Sequence, residues 1–312
     1  MKTGRIVGGI VFRRLTLPFD STTIKTDKRK EKFLMKKSKN VKFAALMLFV
    51  CAVLFCMKPV GVQASTMQTI NTKRPCKSYD ITGDNKKDSI QTKWAFDEYV
   101  SVIVNGKTIY KDKTPIEYDP TVRYCRFENG TPFLFIESYG VNELAQATIV
   151  YYKNSKPKSI NLDFGDYGWL YGVSDLSVSG NTFTVQYSLM TGSTGFTRLK
   201  PCVFVYKDGD IKRKGHNVYD VVALDRYTTG HEMLRTSYVS TARKLTAYND
   251  ITTKDRAFSI KKGAKIKITK IYYNRKTLLV GVEYNGKFGW VKGIKRIVAY
   301  KKPLFKNLAF GG

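Results

Sequence analysis

An Asn-Gly step set between two alternating apolar stretches constrains this chain more than any other feature. A two-residue type I′ turn needs positive φ at both central positions, and asparagine and glycine tolerate that best. Near the C-terminus, Asn285-Gly286 follows Val280, Val282 and Tyr284 and precedes Phe288 and Trp290, each set spaced at every second position. That period is the mark of half-buried strands. A tight hairpin here pairs Tyr284 with Lys287, Val282 with Gly289 and Val280 with Val291 on one face, and leaves Gly281, Glu283, Phe288 and Trp290 on the other. Gly281 falls opposite Trp290, where its missing side chain leaves room for an indole.

The same punctuation recurs upstream. Tyr99–Val104 and Lys107–Tyr110 flank Asn105-Gly106; Asp175–Ser179 and Thr182–Tyr187 flank Gly180-Asn181; Cys202–Tyr206 and Asp210–Lys212 flank Asp208-Gly209. Phe133–Ile136 and Thr148–Tyr152 form a further pair, with a turn at Asn154–Pro157 after them. Antiparallel hairpins throughout predict an all-β chain. Units spaced by around 30 to 50 residues suggest either degenerate β-propeller blades or a two-sheet β-sandwich over residues 70–225. The polar, Thr/Ser-rich stretch 226–243 reads as a connection to a second domain at 244–298, and 299–312 as a basic tail that frays.

The N-terminal 34 residues carry no sustained apolar periodicity. Lys36, Lys37, Lys39 and Lys42 then precede an apolar run from Phe43 to Met57, and Val62-Gln63-Ala64 offers a small-residue cleavage site. This is the layout of a secretory signal peptide starting at Met35 and ending near Ala64. Its run of about fifteen apolar residues falls short of the roughly 20 that cross a bilayer, so no transmembrane span is expected after cleavage. Charge divides unevenly over the remainder: residues 65–240 hold 22 basic and 19 acidic side chains, net +3, and residues 241–312 hold 18 and 3, net +15. A positive field attracts polyanions. For an exported chain these are teichoic acids, anionic glycans or membrane surface, and nucleic acid is not an expected partner. Of the five cysteines, Cys76, Cys125 and Cys202 lie beyond the cleavage site with no C-x-x-C spacing, and read as ordinary buried thiols in which one disulfide has three possible pairings.

Leu245-Thr246-Ala247-Tyr248, Ile260-Lys261-Lys262-Gly263 and the stretch from Val282 to Val291 together resemble a bacterial SH3 domain, the small β-barrel appended to many secreted bacterial proteins. The resemblance covers about a sixth of the chain. It implies binding, to peptidoglycan, another wall polymer or a wall-associated peptide, and not catalysis. On this module the hairpin register collects Phe288 and Trp290 on one face, and Tyr248 or Tyr272 completes an aromatic groove rimmed by Lys287, Lys292 and Lys295.

A second motif lies in Tyr79–Ile90. Asp80, Thr82, Asp84 and Asp88 put oxygens at relative positions 1, 3, 5 and 9, with the Lys86 carbonyl at 7, the manner in which a short loop wraps a hard cation. The absence of a bidentate glutamate at position 12, which is Gln91, disfavours a helix-flanked EF-hand. The D-x-x-G-D-x-x-x-D form resembles the loops of FG-GAP repeats, which implies one calcium ion. The competing reading is an aspartate-capped turn.

The chain carries no recognisable catalytic motif. His216 and His231 are its only histidines, no H-x-x-x-H spacing exists, and G-x-S-x-G does not occur. A glycan-cleaving alternative draws on acids such as Asp163, Asp166 and Asp175, which lie among Tyr167, Trp169 and Tyr171. The sequence therefore points to an exported, wall-associated, non-enzymatic binding protein, with a wall hydrolase anchored by the SH3-like module as the alternative.

Overall fold

The computed structural model describes residues 65–113, 116–140, 143–215, 217–228, 232–299 and 301–309, all within the unit Val62–Gly312. The signal-peptide expectation and both histidines lie outside the described residues. The first strands are β1 (Thr66–Ile70), β2 (Cys76–Tyr79), β3 (Asp88–Ala95), β4 (Tyr99–Val104), β5 (Lys107–Asp112), β6 (Thr121–Arg126), β7 (Pro132–Gly140), β8 (Glu143–Lys153) and β9 (Lys156–Asn161). A single 3-10 turn at Gly165–Tyr167 leads into β10 (Gly168–Ser179), β11 (Thr182–Thr191), β12 (Gly195–Leu199), β13 (Cys202–Lys207), β14 (Asp210–Arg213) and β15 (Val218–Tyr227). The chain continues through β16 (Met233–Thr236), β17 (Tyr238–Ser240), β18 (Leu245–Tyr248), β19 (Arg256–Ile260), β20 (Lys265–Tyr273), β21 (Leu278–Tyr284) and β22 (Lys287–Lys292) to one helical turn, α1 (Arg296–Ala299). The fold is all-β.

Turn chemistry sets the hairpins. Asn105-Gly106, Asp208-Gly209 and Asn285-Gly286 each place both residues at positive φ, between 50° and 78°, and join β4 to β5, β13 to β14 and β21 to β22. The turn after β8 is shorter than the four-residue Asn154–Pro157. Asn154 and Ser155 alone take φ 51° and 58°, so β9 starts at Lys156 and carries Pro157. Proline is tolerated there because β9 is an edge strand.

Among the described residues three sheets result. A four-stranded sheet runs β2-β3-β4-β5 and a five-stranded one β1-β6-β7-β8-β9. They share a core made of Ile90, Val100, Val102 and Val104 from the first and Val122, Tyr124, Leu134, Ile136 and Val150 from the second. The alternate residues of the five-stranded sheet, Cys125, Phe133, Phe135, Ile149 and Tyr151, belong to a second core with Phe183, Val185 and Tyr187 of β11. The five-stranded sheet is thus buried on both faces, which is why β7 reads Phe-Leu-Phe-Ile with no polar alternation.

The third sheet follows β14-β13-β11-β12-β15-β20-β21-β22-β18-β19, with β10, β16 and β17 branching from it. Strand β15 pairs with β20 through Val218–Asp220, with β12 through Val221–Leu224 and with β16 through Leu224–Tyr227. The expected boundary at residue 225 falls inside this strand. The stretch 226–243 holds β16 and β17 and is more than a connection. The tail also departs from expectation: Leu304, Phe305 and Leu308 are buried in the second core, with Phe305 only 1% exposed. The tail backbone is stitched to both halves: Ala242 N–H donates to the Leu304 carbonyl and Lys306 N–H to the Ser240 carbonyl, each at 2.8 Å, while Ala309 N–H donates to the Asp225 carbonyl at 3.1 Å and Phe196 N–H donates to the Ala309 carbonyl at 3.0 Å. Gly195 permits this approach. At φ 61°, a Cβ there would meet the Ala309 carbonyl oxygen at 2.4 Å.

Candidate binding surface on the C-terminal strands

The observed pairing of β21 with β22 is Tyr284↔Lys287, Glu283↔Phe288, Val282↔Gly289, Gly281↔Trp290 and Val280↔Val291. Val280, Val282 and Val291 point into the second core, so Phe288 and Trp290 are turned to the outer face. Across the other edge of β22, Tyr248 of β18 pairs with Trp290. Tyr272 of β20 meets the indole edge-on at 6.4 Å between ring centroids, and Phe288 meets it at 5.3 Å and 87°. The four aromatic residues expected to share a groove are thus one cluster.

Their burial differs. Trp290 is 7% exposed and Leu279 0%, yet neither belongs to either core; both are covered on the outer face. Phe288 stays 39% exposed, and Tyr248 and Tyr272 are half-buried. The room left by Gly281 is filled by Phe288 and not by the indole: a Cβ at Gly281 would lie 3.0 Å from the Phe288 ring and 2.9 Å from Cβ of Lys270. Glycine is needed for the phenyl ring to lie flat over the strand.

The cationic rim is only partly as expected. The Lys292 ammonium stands 5.3 Å from the Tyr248 ring centroid, within cation–π range. Lys287 pairs with Tyr284 and so projects from the opposite face of the hairpin, away from Phe288. Lys295 is drawn elsewhere, its ammonium 2.7 Å from the Asp166 carboxylate, which pulls that carboxyl below its ordinary pKa and raises that of the lysine. Lys270, not singled out from sequence, borders the cluster through Gly281 and reaches Asp220 at 2.6 Å. Leu279 was also missed, although alternation with the inward Val280 and Leu278 marks it as outward-facing.

The Asp80–Asp88 loop is built from the same residues the sequence singled out, with their carboxylates turned onto backbone donors. Asp88, 2% exposed, accepts from Ile81 N–H at 2.7 Å and Thr82 N–H at 2.9 Å, and from the Asn105 amide at 2.5 Å. Asp80 accepts from Gly83 N–H at 2.6 Å and Asn85 N–H at 2.8 Å, and Asp84 accepts from Lys86 N–H at 2.9 Å. The Thr82 hydroxyl lies 3.4 Å from both Asp80 and Asp88. Asn85 takes φ 65°, the left-handed conformation expected of it. Among the described residues no group of three or more His, Cys, Asp or Glu side chains is placed to hold a metal ion.

Cys76, Cys125 and Cys202 are free thiols. Cys125 and Cys202 are buried and Cys76 half-buried. Burial pushes the Cys125 thiol up to about 12 and raises that of Cys202, the reverse of what activates a nucleophile. No helix among the described residues is long and apolar enough to cross a membrane. Comparison with protein-family models, with curated proteins and with solved structures finds no match for this chain.

Proposed function

We propose that this is an exported, non-enzymatic binding protein, held at the cell wall by its C-terminal strands, which act as an SH3-like module on peptidoglycan or an anionic wall polymer. The observation that carries the reading is the outward cluster of Tyr248, Tyr272, Phe288 and Trp290, with Phe288 39% exposed and Lys292 beside it. Aromatic faces suit sugar rings or a peptide stem, and ammonium groups add salt-sensitive attraction to an anionic polymer. The net +15 of residues 241–312 supports the same partner class. For the N-terminal part, the core shared by the four- and five-stranded sheets supports the two-sheet reading over the propeller.

Incubating the purified protein with intact peptidoglycan sacculi tests the proposal. Co-sedimentation that weakens with salt without vanishing, and leaves the sacculi intact, is the expected result. Release of reducing ends or of new amines would replace it with the hydrolase reading, and failure to sediment would overturn it.

A further inference from the structure

Behind the aromatic face, strand β20 turns its next residue, Tyr273, the other way, into a cleft of about 510 Å³. Four segments converge on it, two of them joined by one short turn. Asp163 follows β9, Arg213 ends β14, Asn217 and Tyr219 open β15, and Arg275 lies in the turn between β20 and β21. The volume is that of a small-molecule site. The back wall is rigid: Phe164 stacks on Tyr273 at 4.7 Å and meets Tyr219 at 5.1 Å.

The polar groups of this cleft have unmet capacity. The Arg213 guanidinium lies 3.9 Å over the Tyr219 ring, and its Nη1 donates to the Val218 carbonyl at 3.0 Å. Its Nη2 is buried on the side of the Cys202 thiol, so Arg213 contributes charge to the cleft and not an open fork. Arg275 is exposed and has no carboxylate within ion-pair distance among the described residues, and neither the Tyr219 nor the Tyr273 hydroxyl has a partner there. Lys212 adds a third cation, against Asp163 as the one acid in the lining. Burial and the charge of Asp112 raise the Asp163 pKa against the pull of Arg275, and burial beside Asp163 pushes Tyr273 up to about 12. Perturbed titratable groups gathered in a cleft are what binding sites show.

We propose that this cleft binds a sugar acid of hexose size, its carboxylate taken by the Arg275 guanidinium in the field of Lys212 and Arg213 and its hydroxyls by Asp163 and Asn217. Guanidinium forks match carboxylates in geometry as well as in charge. An aspartate and an amide accept and donate to neighbouring hydroxyls in the way a neutral wall cannot. Three cations against one acid select an anion over a neutral sugar, and the volume limits the ligand to about one ring. The site lies on the opposite side of β20 from Tyr272, so it is distinct from the wall-binding surface proposed above and does not depend on it.

The test is saturation-transfer NMR and calorimetry on the whole protein with glucuronate, glucose and inorganic phosphate as probes. Glucuronate is expected to bind at millimolar concentration and glucose far more weakly. Loss of a charge-assisted hydrogen bond in Arg275→Ala should weaken glucuronate binding roughly ten- to hundredfold. Arg275→Lys, which keeps the charge and loses the fork, should recover only part of it. Arg275 is exposed, and alanine at its φ of 71° carries the same backbone cost as arginine, so an unchanged melting midpoint is expected. Glucuronate that fails to bind, binds no better than glucose, is displaced equally well by phosphate, or is indifferent to Arg275→Ala overturns the proposal.

Discussion

Replacing Phe288 with alanine separates a binding surface from a packing surface. The ring is 39% exposed, so about three-fifths of it is covered. Full burial of a phenylalanine is worth about 1.5–3 kcal/mol, which scales to about 1–2 kcal/mol here, and the edge-on contact with Trp290 adds about 0.5–1.5 kcal/mol. Phe288→Ala should therefore cost about 1.5–3 kcal/mol, a fall of roughly 3–12 °C in the melting midpoint for a chain of this size. That leaves a folded protein. If the ring is an anchor, truncation should cost at least about 2 kcal/mol in binding, more than tenfold in affinity. The assay is a depletion isotherm on sacculi at several salt concentrations, with a thermal melt of each variant. Phe288→Tyr should retain most of the affinity. Trp290→Ala is the poorer probe, because an indole only 7% exposed will lose stability together with binding. Wild-type affinity in a folded Phe288→Ala refutes the reasoning and leaves only nonspecific charge attraction.

The buried Asp88 carboxylate holds three donors from the loop and from Asn105, so Asp88→Ala should destabilise by about 3 kcal/mol, read as a lower urea midpoint. Calcium in this loop is tested by the melt: ligation would add about 2.7 kcal/mol at a hundredfold excess over the dissociation constant. Asp84→Ala should abolish that gain, and a wild-type midpoint unchanged by millimolar calcium would leave the loop an aspartate-capped turn. Alkaline pH should unfold the protein, since burial raises Tyr151 and Tyr273 from 10.0 to about 12. The unfolded chain releases those protons first, so stability is full below about pH 10 and falls as pH rises towards 12, and melts from pH 7 to 11 should be flat and then decline.

Much of the local structure was legible because its causes are local. The Asn285-Gly286 turn and the alternation around it fix a register that the structure reproduces pair by pair, and with it the face shared by Phe288 and Trp290. The same register already turned Lys287 away from that face, and its place on the rim followed from proximity in sequence alone. The Asp80–Asp88 loop was legible in composition, and side-chain oxygens at that spacing serve a cation or a turn of backbone N–H groups equally well. What the sequence did not reveal are contacts made over distance. Leu304, Phe305 and Leu308 sit among lysines in a stretch with no strand period, and only the groove between Thr241 and Phe196 accounts for their burial. The cleft of Asp163, Arg213, Tyr219 and Arg275 has no motif, because only the segments of Arg213 and Tyr219 adjoin in the chain.

The largest departure, β15 running through the expected domain boundary, changes what the C-terminal strands can do. A module on a flexible connection would bind its polymer independently of the other domain, with freedom set by the linker. Here Val218–Asp220 hydrogen-bonds to Lys270–Tyr272 of β20, and Val221–Leu224 of the same strand hydrogen-bonds to β12. The sheet is continuous from β14 to β19, and the tail spans the seam, bonded to Ser240 and Ala242 through Leu304 and Lys306 and to Phe196 and Asp225 through Ala309. Tyr272 and Tyr273 are consecutive on β20, so period-2 alternation sends one to the aromatic face and the other to the cleft. The two surfaces are separated by the thickness of one sheet and share one strand. A ligand that binds two positions of β20 with different affinity on one side would therefore be felt on the other, a route that a pair of tethered domains lacks.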